Sequence, residues 1–285
     1  MKWKRARRSS NVDDRRGIGG GTMKLGLGGV AVVVVLGLAM GKNPMEMLAM
    51  LSQIQGGSPG TGEPVQMTAG EEQAGEFVAS ILGETEDVWR EIFQRRGQTY
   101  PSPRLVLFTG QVASACGGAS AAVGPFYCPG DGTIYIDLSF FAQMEARLGG
   151  GGDFAEAYVI AHEVGHHVQA VTGILDTIHT ARRSGAKMEG AGGLLVRQEL
   201  QADCFAGVWG HHAQQRHSWL EPGDLEEAMQ TASAIGDDNL QRQSQGSVVP
   251  DTFTHGTSEQ RVRSFRQGFE SGDPSACDSF TTERL

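Results

Sequence analysis

The stretch Ala-His-Glu-Val-Gly-His-His, at residues 161–167, is the part of the sequence that most constrains the fold. His162 and His166 lie four residues apart, and Glu163 directly follows the first histidine. On an α-helix this spacing places both imidazoles on one face, one turn apart, so both can reach a single metal ion. Glu163 would lie about 100° round the helix, where a carboxylate can take a proton from a water at the metal. The stretch therefore predicts a helix that carries half of a metal site.

The flanking residues favour a helix here. Asp153 and Glu156 form a capping-box pattern at its start, and Gly173 is a stop signal. Apolar residues recur at spacings of four and three, roughly opposite the histidines: Ala157, Ala161, Val164, Val168 and Val171. A pattern with three fixed positions also occurs by chance, so the site needs support from a further ligand.

A second helical stretch, at about residues 194–215, offers that ligand. Glu199 and Asp203 lie four residues apart on one of its faces. Two acids on a helix are usually solvated surface, but a zinc site needs a third protein ligand, and a bound histidine needs a carboxylate on its other nitrogen. Glu199 as the ligand and Asp203 as the partner of a histidine would supply both. His179 and His255 remain alternatives for the third ligand.

The distribution of charge excludes one class of partner. The chain has 285 residues and a formal net charge of −9. Residues 1–24 hold eight lysines and arginines against two aspartates, so the remainder is strongly acidic. A basic head on an acidic body argues against nucleic-acid binding by the body.

Residues 25–41 contain no charge and are predicted to form a transmembrane helix. They are slightly shorter than the usual span of about 20 residues, but flanking lysines can snorkel. The basic residues before them place the N-terminus in the cytoplasm and the rest of the chain outside, as a single-pass protein of the cell membrane. Because residues 39–41 also resemble a cleavage site, a signal peptide is the alternative.

The rest of the chain divides into a linker and one folded domain. Residues 42–69 are rich in glycine, serine and proline and are predicted to be a flexible linker. Residues 70–285 are predicted to be a mainly helical α+β domain. Its small sheet would contain a strand at 104–108 and a hairpin around Pro129-Gly130-Asp131-Gly132. Residues 174–192, 236–239 and 244–257 are expected to be irregular.

Several longer strings resemble one protein family. Residues 161–169 and 197–209, with the strings at 115–118, 124–130 and 254–258, are similar to the bacterial putative neutral zinc metallopeptidases. The resemblance covers nearly the whole chain, and the metal positions show no departure from it. It implies zinc, peptide hydrolysis and a zincin-like fold, close to the gluzincins because the third ligand is a glutamate. It brings no known substrate.

The function expected from these observations is that of a membrane-anchored zinc endopeptidase acting on peptide or protein substrates. One zinc ion per chain would be held by His162, His166 and Glu199, and Glu163 would be the proton acceptor. The alternative is a non-catalytic extracytoplasmic scaffold or binding protein with a structural zinc. Glu163 argues against the scaffold, because a structural site has no use for an acid at that position.

His255 is a candidate for a second catalytic role. Peptidases of the glutamate-ligand type need a hydrogen-bond donor for the oxyanion, often from a histidine or tyrosine well after the ligands. His255 lies in a loop just before a helix that Ser258 can cap. The alternative is that His255 only bonds a nearby backbone group. Tyr127, Tyr135 and Tyr158 are rival donors.

The four cysteines predict two disulfides. Cys116 and Cys128 flank the segment that leads into the hairpin and would close a short loop. Cys204 would then pair with Cys277. The alternative, four reduced thiols, requires a cytoplasmic domain. A cysteine zinc site is not expected, because the sequence has no Cys-x-x-Cys.

Overall fold

The computed structural model describes residues 1–16, 67–148, 151–282 and 285. Four strands from distant parts of the sequence form one sheet, and two further strands form a separate antiparallel hairpin. The strands, in chain order, are β1 (Val12–Asp14), β2 (Arg104–Phe108), β3 (Gln111–Ser114), β4 (Gly117–Ser120), β5 (Phe126–Cys128) and β6 (Thr133–Asp137). The four-stranded sheet has the order β1-β2-β6-β5. Within it β1 and β6 run parallel to β2, and β5 is antiparallel to β6.

Helices make up most of the described chain. They are α1 (Ala69–Arg95), α2 (Ser139–Leu148), α3 (Asp153–Val171), α4 (Ile174–Arg183), α5 (Leu194–His217), α6 (Asp224–Ala234), α7 (Asp237–Gln245) and α8 (Ser258–Ser271). The observed fold is therefore α+β and mainly helical with small sheets, and that part of the fold prediction is correct.

The strands at the centre of the sheet are buried on both faces. In β2 and β6, Leu105 lies opposite Ile134, and Leu107 lies opposite Ile136. These four side chains join the main helical core. The alternate residues of the same strands form a smaller apolar cluster on the other face. A strand that is covered on both sides reads as a continuous apolar run, which is what residues 105–108 show.

Close contact between α3 and α5 brings their polar faces together. A Cβ atom added at Gly165 would lie 3.0 Å from both the Cα and the O atom of Ala202, so the two backbones touch at that point. A similar contact joins α5 to α8, where a Cβ at Gly268 would clash with the carbonyl oxygen of Cys204. Small residues at helix crossings permit such an approach. Helix α5 therefore lies between α3 and α8, and its residues can meet side chains from both.

Three local predictions are wrong. Helices α4 and α7 occupy stretches that were expected to be irregular, because Leu175 and Ile178 in α4 are buried and α7 packs near α8. The capping box at Asp153 does not form, since Gly152 is the N-cap residue. Thr257, rather than Ser258, caps α8 through a capping box with Gln260.

The first fifteen residues belong to the same folded unit as residues 68–285. Trp3 and Ala6 are buried in the main core, and β1 pairs with β2. The guanidinium of Arg7 donates to the carbonyl of Gly83 at 2.9 Å and to Glu86 at 2.6 Å. A Cβ at Gly83 would lie 2.4 Å from the carbonyl oxygen of Arg7, so the segment lies directly on α1. The basic N-terminal residues are thus part of the domain rather than a separate head.

The predicted single-pass topology, with a transmembrane helix between the basic residues and the domain, is therefore wrong. A single span between residues 15 and 68 would place two packed segments on opposite sides of a membrane. Within the described ranges, none of the helices is long and apolar enough to cross a membrane. Residues 25–41, for which the anchor was predicted, and most of the predicted linker at 42–69 lie outside the described residues. The prediction of a cytoplasmic N-terminus with an extracytoplasmic domain is withdrawn with the anchor.

Two disulfides tie distant parts of the domain. Cys116 is bonded to Cys128, and Cys204 is bonded to Cys277. These are the pairs expected from the sequence, and no cysteine is free. The first closes a loop next to β5, and the second joins the middle of α5 to the segment after α8.

Removal of the second disulfide should destabilise the fold more than removal of the first. The sequence separations are 73 and 12 residues, and loop-closure entropy gives about 4.4 and about 2.8 kcal/mol. Chemical unfolding of Cys204→Ala/Cys277→Ala and of Cys116→Ala/Cys128→Ala under non-reducing conditions measures both losses. An equal or smaller loss for the Cys204–Cys277 pair would contradict this account.

Candidate metal centre

The contact between α3 and α5 brings His162, His166 and Glu199 to one point. The Nε2 atom of His162 lies 3.1 Å from Oε2 of Glu199, and Nε2 of His166 lies 3.4 Å from Oε1 of the same carboxylate. One ligand atom from each residue can be chosen so that all lie within 4.8 Å of one another. In the described part of the chain, no other group of three histidine, cysteine or acidic side chains meets this criterion.

These distances fit a zinc ion. Nitrogen and oxygen ligands bind zinc at 2.0–2.2 Å, so neighbouring ligand atoms of a tetrahedral site lie roughly 3.3–3.6 Å apart. The measured 3.1 and 3.4 Å are close to that edge length. Two imidazoles and one carboxylate are also the donor set of a class of catalytic zinc sites.

The other ring nitrogen of His162 is held by Asp203. Nδ1 of His162 donates to Oδ1 of Asp203 at 2.8 Å. This fully buried carboxylate also accepts the Tyr158 hydroxyl at 2.6 Å and two guanidinium N–H groups of Arg261, both at 2.9 Å. With its proton on Nδ1, the neutral imidazole presents the Nε2 lone pair to a metal.

His166 is held in the same way by an amide. Its Nδ1 atom lies 2.9 Å from Oε1 of Gln169. The Gln169 amide nitrogen donates to the carbonyl of Gln198 at 2.7 Å and to Oε1 of Gln201 at 3.1 Å, so its oxygen must face the histidine. Because that oxygen can only accept, Nδ1 of His166 carries the proton and Nε2 is free to bind a metal.

The site stabilises positive charge. Burial lowers the pKa of His162, but the charges and hydrogen bonds of Asp203 and Glu199 outweigh it and raise the pKa to about 10. Burial raises the pKa of Glu199, but the two histidines hold it well below its usual value. Two unprotonated Nε2 atoms facing a carboxylate would repel it, and a cation between them removes that repulsion.

Glu163 faces a cavity of about 540 Å³ that is also lined by the three candidate ligands. Its side chain is buried, and burial raises the pKa of its carboxyl, opposed by the nearby His166 and His162. The backbone N–H of Tyr127 also donates a hydrogen bond to this carboxyl, which lowers its pKa. A carboxylate with a raised pKa is a stronger base than an exposed one, which suits a proton acceptor.

His167, next to the candidate ligand His166, is buried and has specific partners. Its Nδ1 atom lies 3.1 Å from the hydroxyl of Tyr127, and its Nε2 atom donates to the carbonyl of Pro101 at 2.5 Å. Because Nε2 is the donor, Nδ1 accepts from the tyrosine. His167 therefore holds Tyr127, which lies in β5 beside Glu163, against α3.

His255 lines the same cavity as the candidate ligands. The carboxylate of Asp237, at the start of α7, accepts the backbone N–H groups of Thr254, His255 and Gly256 at 2.7, 2.7 and 3.0 Å. The same carboxylate lies 3.2 Å from Nδ1 of the histidine, whose side chain is 51% exposed. Asp237 thus fixes both the loop and the ring, and leaves Nε2 available.

The rival oxyanion donors already use their hydroxyl protons. Tyr158 donates to Asp203, Tyr127 donates to His167, and Tyr135 donates to Asp131 at 2.8 Å. A phenol has one proton to donate, so none of the three is free for a substrate. His179, the alternative ligand, lies on α4 with an exposed side chain and is absent from the described residues that line the cavity.

Arg261 is the site residue that the sequence analysis missed. Its guanidinium is buried, with 3% of the residue exposed, and donates a bidentate pair of hydrogen bonds to the carboxylate of Asp203. The sequence contained a signal, because Arg261 lies four residues before Phe265 on the apolar face of α8. A charged residue within an apolar helical face indicates a buried ionic partner.

The profile of the family described as "Putative neutral zinc metallopeptidase" matches residues 1–280. The chain belongs to this family. The resemblance stated from the sequence is thereby confirmed, and the match includes the N-terminal segment that packs on α1.

Two bacterial proteins that the chain resembles are both described as uncharacterized. The chain is 46% identical over 295 residues to the uncharacterized protein YpfJ of Escherichia coli (strain K12), across 98% of this chain and 99% of the relative. It is 45% identical over 196 residues to the uncharacterized protein Rv2575 of Mycobacterium tuberculosis (strain ATCC 25618 / H37Rv), across 65% of each chain. No solved structure gives a significant match.

Proposed function

We propose that the chain is a zinc-dependent endopeptidase with one zinc ion per chain. The observation that carries this proposal is the convergence of His162, His166 and Glu199, with both histidine Nδ1 atoms held by acceptors. The family description, which names zinc and peptidase activity, supports the same assignment.

A zinc ion at this point would polarise the scissile carbonyl and lower the pKa of a coordinated water to about 7. Glu163 accepts the proton of the attacking water and passes it to the leaving nitrogen. Asp203 keeps His162 in the tautomer that binds metal, and Gln169 does the same for His166.

His255 is proposed to donate from Nε2 to the oxyanion of the tetrahedral intermediate. Its place in the cavity lining, its fixed loop and the engaged hydroxyls of the three tyrosines support this role. Asp237 and the hydroxyl of Thr254, which lies 2.9 Å from Nδ1, orient the ring.

The cavity suits an internal peptide bond better than a chain end. An exopeptidase needs a counter-ion for the terminal amine or carboxylate of its substrate. The charged groups among the described lining residues are Glu163, the candidate ligands, His255 and Arg261, and Arg261 is paired with Asp203. None is left over to bind a terminal charge, which supports endopeptidase activity.

A cleavage assay tests the proposal. The purified protein, freed of metal and then reloaded with zinc, is incubated with a library of internally quenched peptides. We expect cleavage only in the zinc-loaded sample and cuts away from the peptide ends. Zinc binding without cleavage of any peptide would instead support the scaffold with a structural zinc.

His255→Ala should lower kcat by about 10²–10³-fold, equivalent to about 2.7–4 kcal/mol, because one oxyanion donor is lost. Zinc content and fold should be unchanged. His179→Ala, which removes an exposed histidine on α4, is the matched control and should retain wild-type kcat. An unchanged kcat in His255→Ala would exclude the proposed role, and loss of zinc would make His255 a ligand.

A further inference from the structure

Apolar side chains line the cavity around the candidate metal centre. Besides Val159 of α3, most of them come from two separated parts of the chain: the segment from the turn before β5 to α2, and the segments that contain α4 and α7. The residues are Val123, Phe126 and Phe140 from the first part and Leu175, Ile235 and Leu240 from the second.

The exposed large apolar residues concentrate at this cavity. Among the described residues whose exposure is defined, they are Val123 at 64%, Val249 at 44% and Leu240 at 37%. Val123 and Leu240 line the cavity, whereas Val249 does not. Single exposed apolar residues are ordinary, but a group that continues into a cleft marks a binding surface.

Gly124 lets the ring of Phe140 pack against the backbone. Gly124 has φ +81°, a conformation that favours glycine, and a Cβ there would lie 3.3 Å from the ring of Phe140. The ring therefore packs directly against the backbone between Val123 and β5. A side chain at position 124 would require the ring of Phe140 to shift by a few tenths of an ångström.

The charged groups in the cavity wall have partners within the protein. The guanidinium of Arg261 is bound by Asp203, His255 faces Asp237, and Glu199 faces His162 and His166. Glu163 is the proposed proton acceptor. Apart from Glu163, the described lining residues offer no unpaired charge to a charged side chain of a ligand, so that side chain would lose water there unfavourably.

We propose that this cavity selects peptides with an apolar side chain next to the bond to be cleaved and rejects charged side chains there. The inference rests on the proposed function for the position of the peptide bond, but it concerns binding and can be measured without catalysis. An apolar side chain gains by leaving water. We expect a preference of about 10–200-fold for leucine over lysine or aspartate.

The binding arm of the experiment uses zinc-loaded Glu163→Gln, which should turn the substrate over about 10²–10⁴-fold more slowly than wild type. Short fluorescent peptides of alanine, glycine and serine carry leucine, lysine or aspartate at one central position, and fluorescence anisotropy gives each Kd. The leucine peptide should bind at least about tenfold more tightly than the other two. Equal Kd values, or no binding of any peptide, would overturn the inference.

Charge substitution at the cavity rim sharpens the test. In the Glu163→Gln background, Leu240→Glu and Val123→Glu should weaken binding of the leucine peptide and strengthen binding of the lysine peptide. The reason is that each substitution adds an unpaired acid to the lining. Both positions are partly or largely exposed, so the fold should tolerate the change. Val249→Glu is the matched control, since it alters an exposed valine outside the cavity and should leave all three Kd values unchanged.

The two proposals fail in different ways. If wild-type protein cleaves peptides without regard to apolar residues, the endopeptidase stands and the inference on selectivity is overturned. If Glu163→Gln binds the leucine peptide selectively but wild type cleaves nothing, the selectivity stands and the proposed function is overturned.

Discussion

Glu163→Gln should lower kcat for peptide hydrolysis by about 10²–10⁴-fold while zinc remains bound. The amide has nearly the shape of the carboxylate but cannot accept the proton of the attacking water. Its position beside the ligands rather than among them leaves the three metal contacts intact. Single-turnover kinetics with a cleavable peptide, together with the zinc content of the same sample, measures both quantities.

Glu156→Gln on the same helix is the matched control for this substitution. Glu156 lies two turns before Glu163, outside the described lining of the cavity. Burial, with Asp153 and Glu145 nearby, raises the pKa of its carboxyl to about 7, so a neutral amide resembles the form that is already populated near neutral pH. It should keep wild-type kcat. Equal losses for the two variants would show that Glu163 acts through the helix rather than through its carboxylate.

Arg261→Met should destabilise the fold by about 3–5 kcal/mol, because the buried charge of Asp203 loses its partner. Burial raises the pKa of Asp203, but the Arg261 guanidinium and His162 lower it to about 2. Without the arginine, His162 alone of these two groups would oppose the effect of burial on the carboxylate. Poorer support of His162 should also weaken zinc binding by about 10–100-fold. Urea unfolding and a chelator competition assay measure the two effects.

Arg263→Met provides the comparison on the same helix. Arg263 is partly exposed and pairs with Glu259 one turn away, so Arg263→Met should lower the free energy of unfolding by less than about 0.5 kcal/mol. If Arg261→Met lowered the free energy of unfolding by no more than Arg263→Met does, the buried pair of Arg261 and Asp203 would not contribute to stability. Unchanged zinc affinity in Arg261→Met would show that Asp203 holds His162 without help from α8.

The residues of the candidate metal centre could be predicted because their spacing is local. His162 and His166 share a helical face by virtue of a four-residue separation, and Glu199 and Asp203 do so for the same reason. That the two faces meet depends on the contact of Gly165 with Ala202. The sequence supports that contact only through the small size of both residues, so the three-residue cluster needed the structure.

Other features depend on contacts that leave no local pattern. Arg261 binds Asp203 across 58 positions of sequence, and only its place in an apolar helical face sets it apart. The N-terminal residues read as a basic head, because nothing near Arg7 in the sequence shows that it would meet Gly83 and Glu86. The uncharged stretch at 25–41 was interpreted from composition alone, without the packing of residues 1–15 on the domain that contradicts the topology.

The zinc affinity of Glu199→Ala tests the central claim most directly. Wild-type protein should bind one zinc ion per chain, and loss of the carboxylate that faces both histidines should remove most of the bound zinc. The loss of affinity should exceed the roughly 10–100-fold that is typical when a residue that only holds a metal ligand is removed. Glu189→Ala, at an exposed acid that is not part of the cluster, is the control and should bind as wild type. The measurement is a competition titration against a chelator of known affinity. Much weaker zinc binding by Glu199→Ala alone is the predicted result, and binding as tight as that of wild type would contradict the assignment of the metal centre.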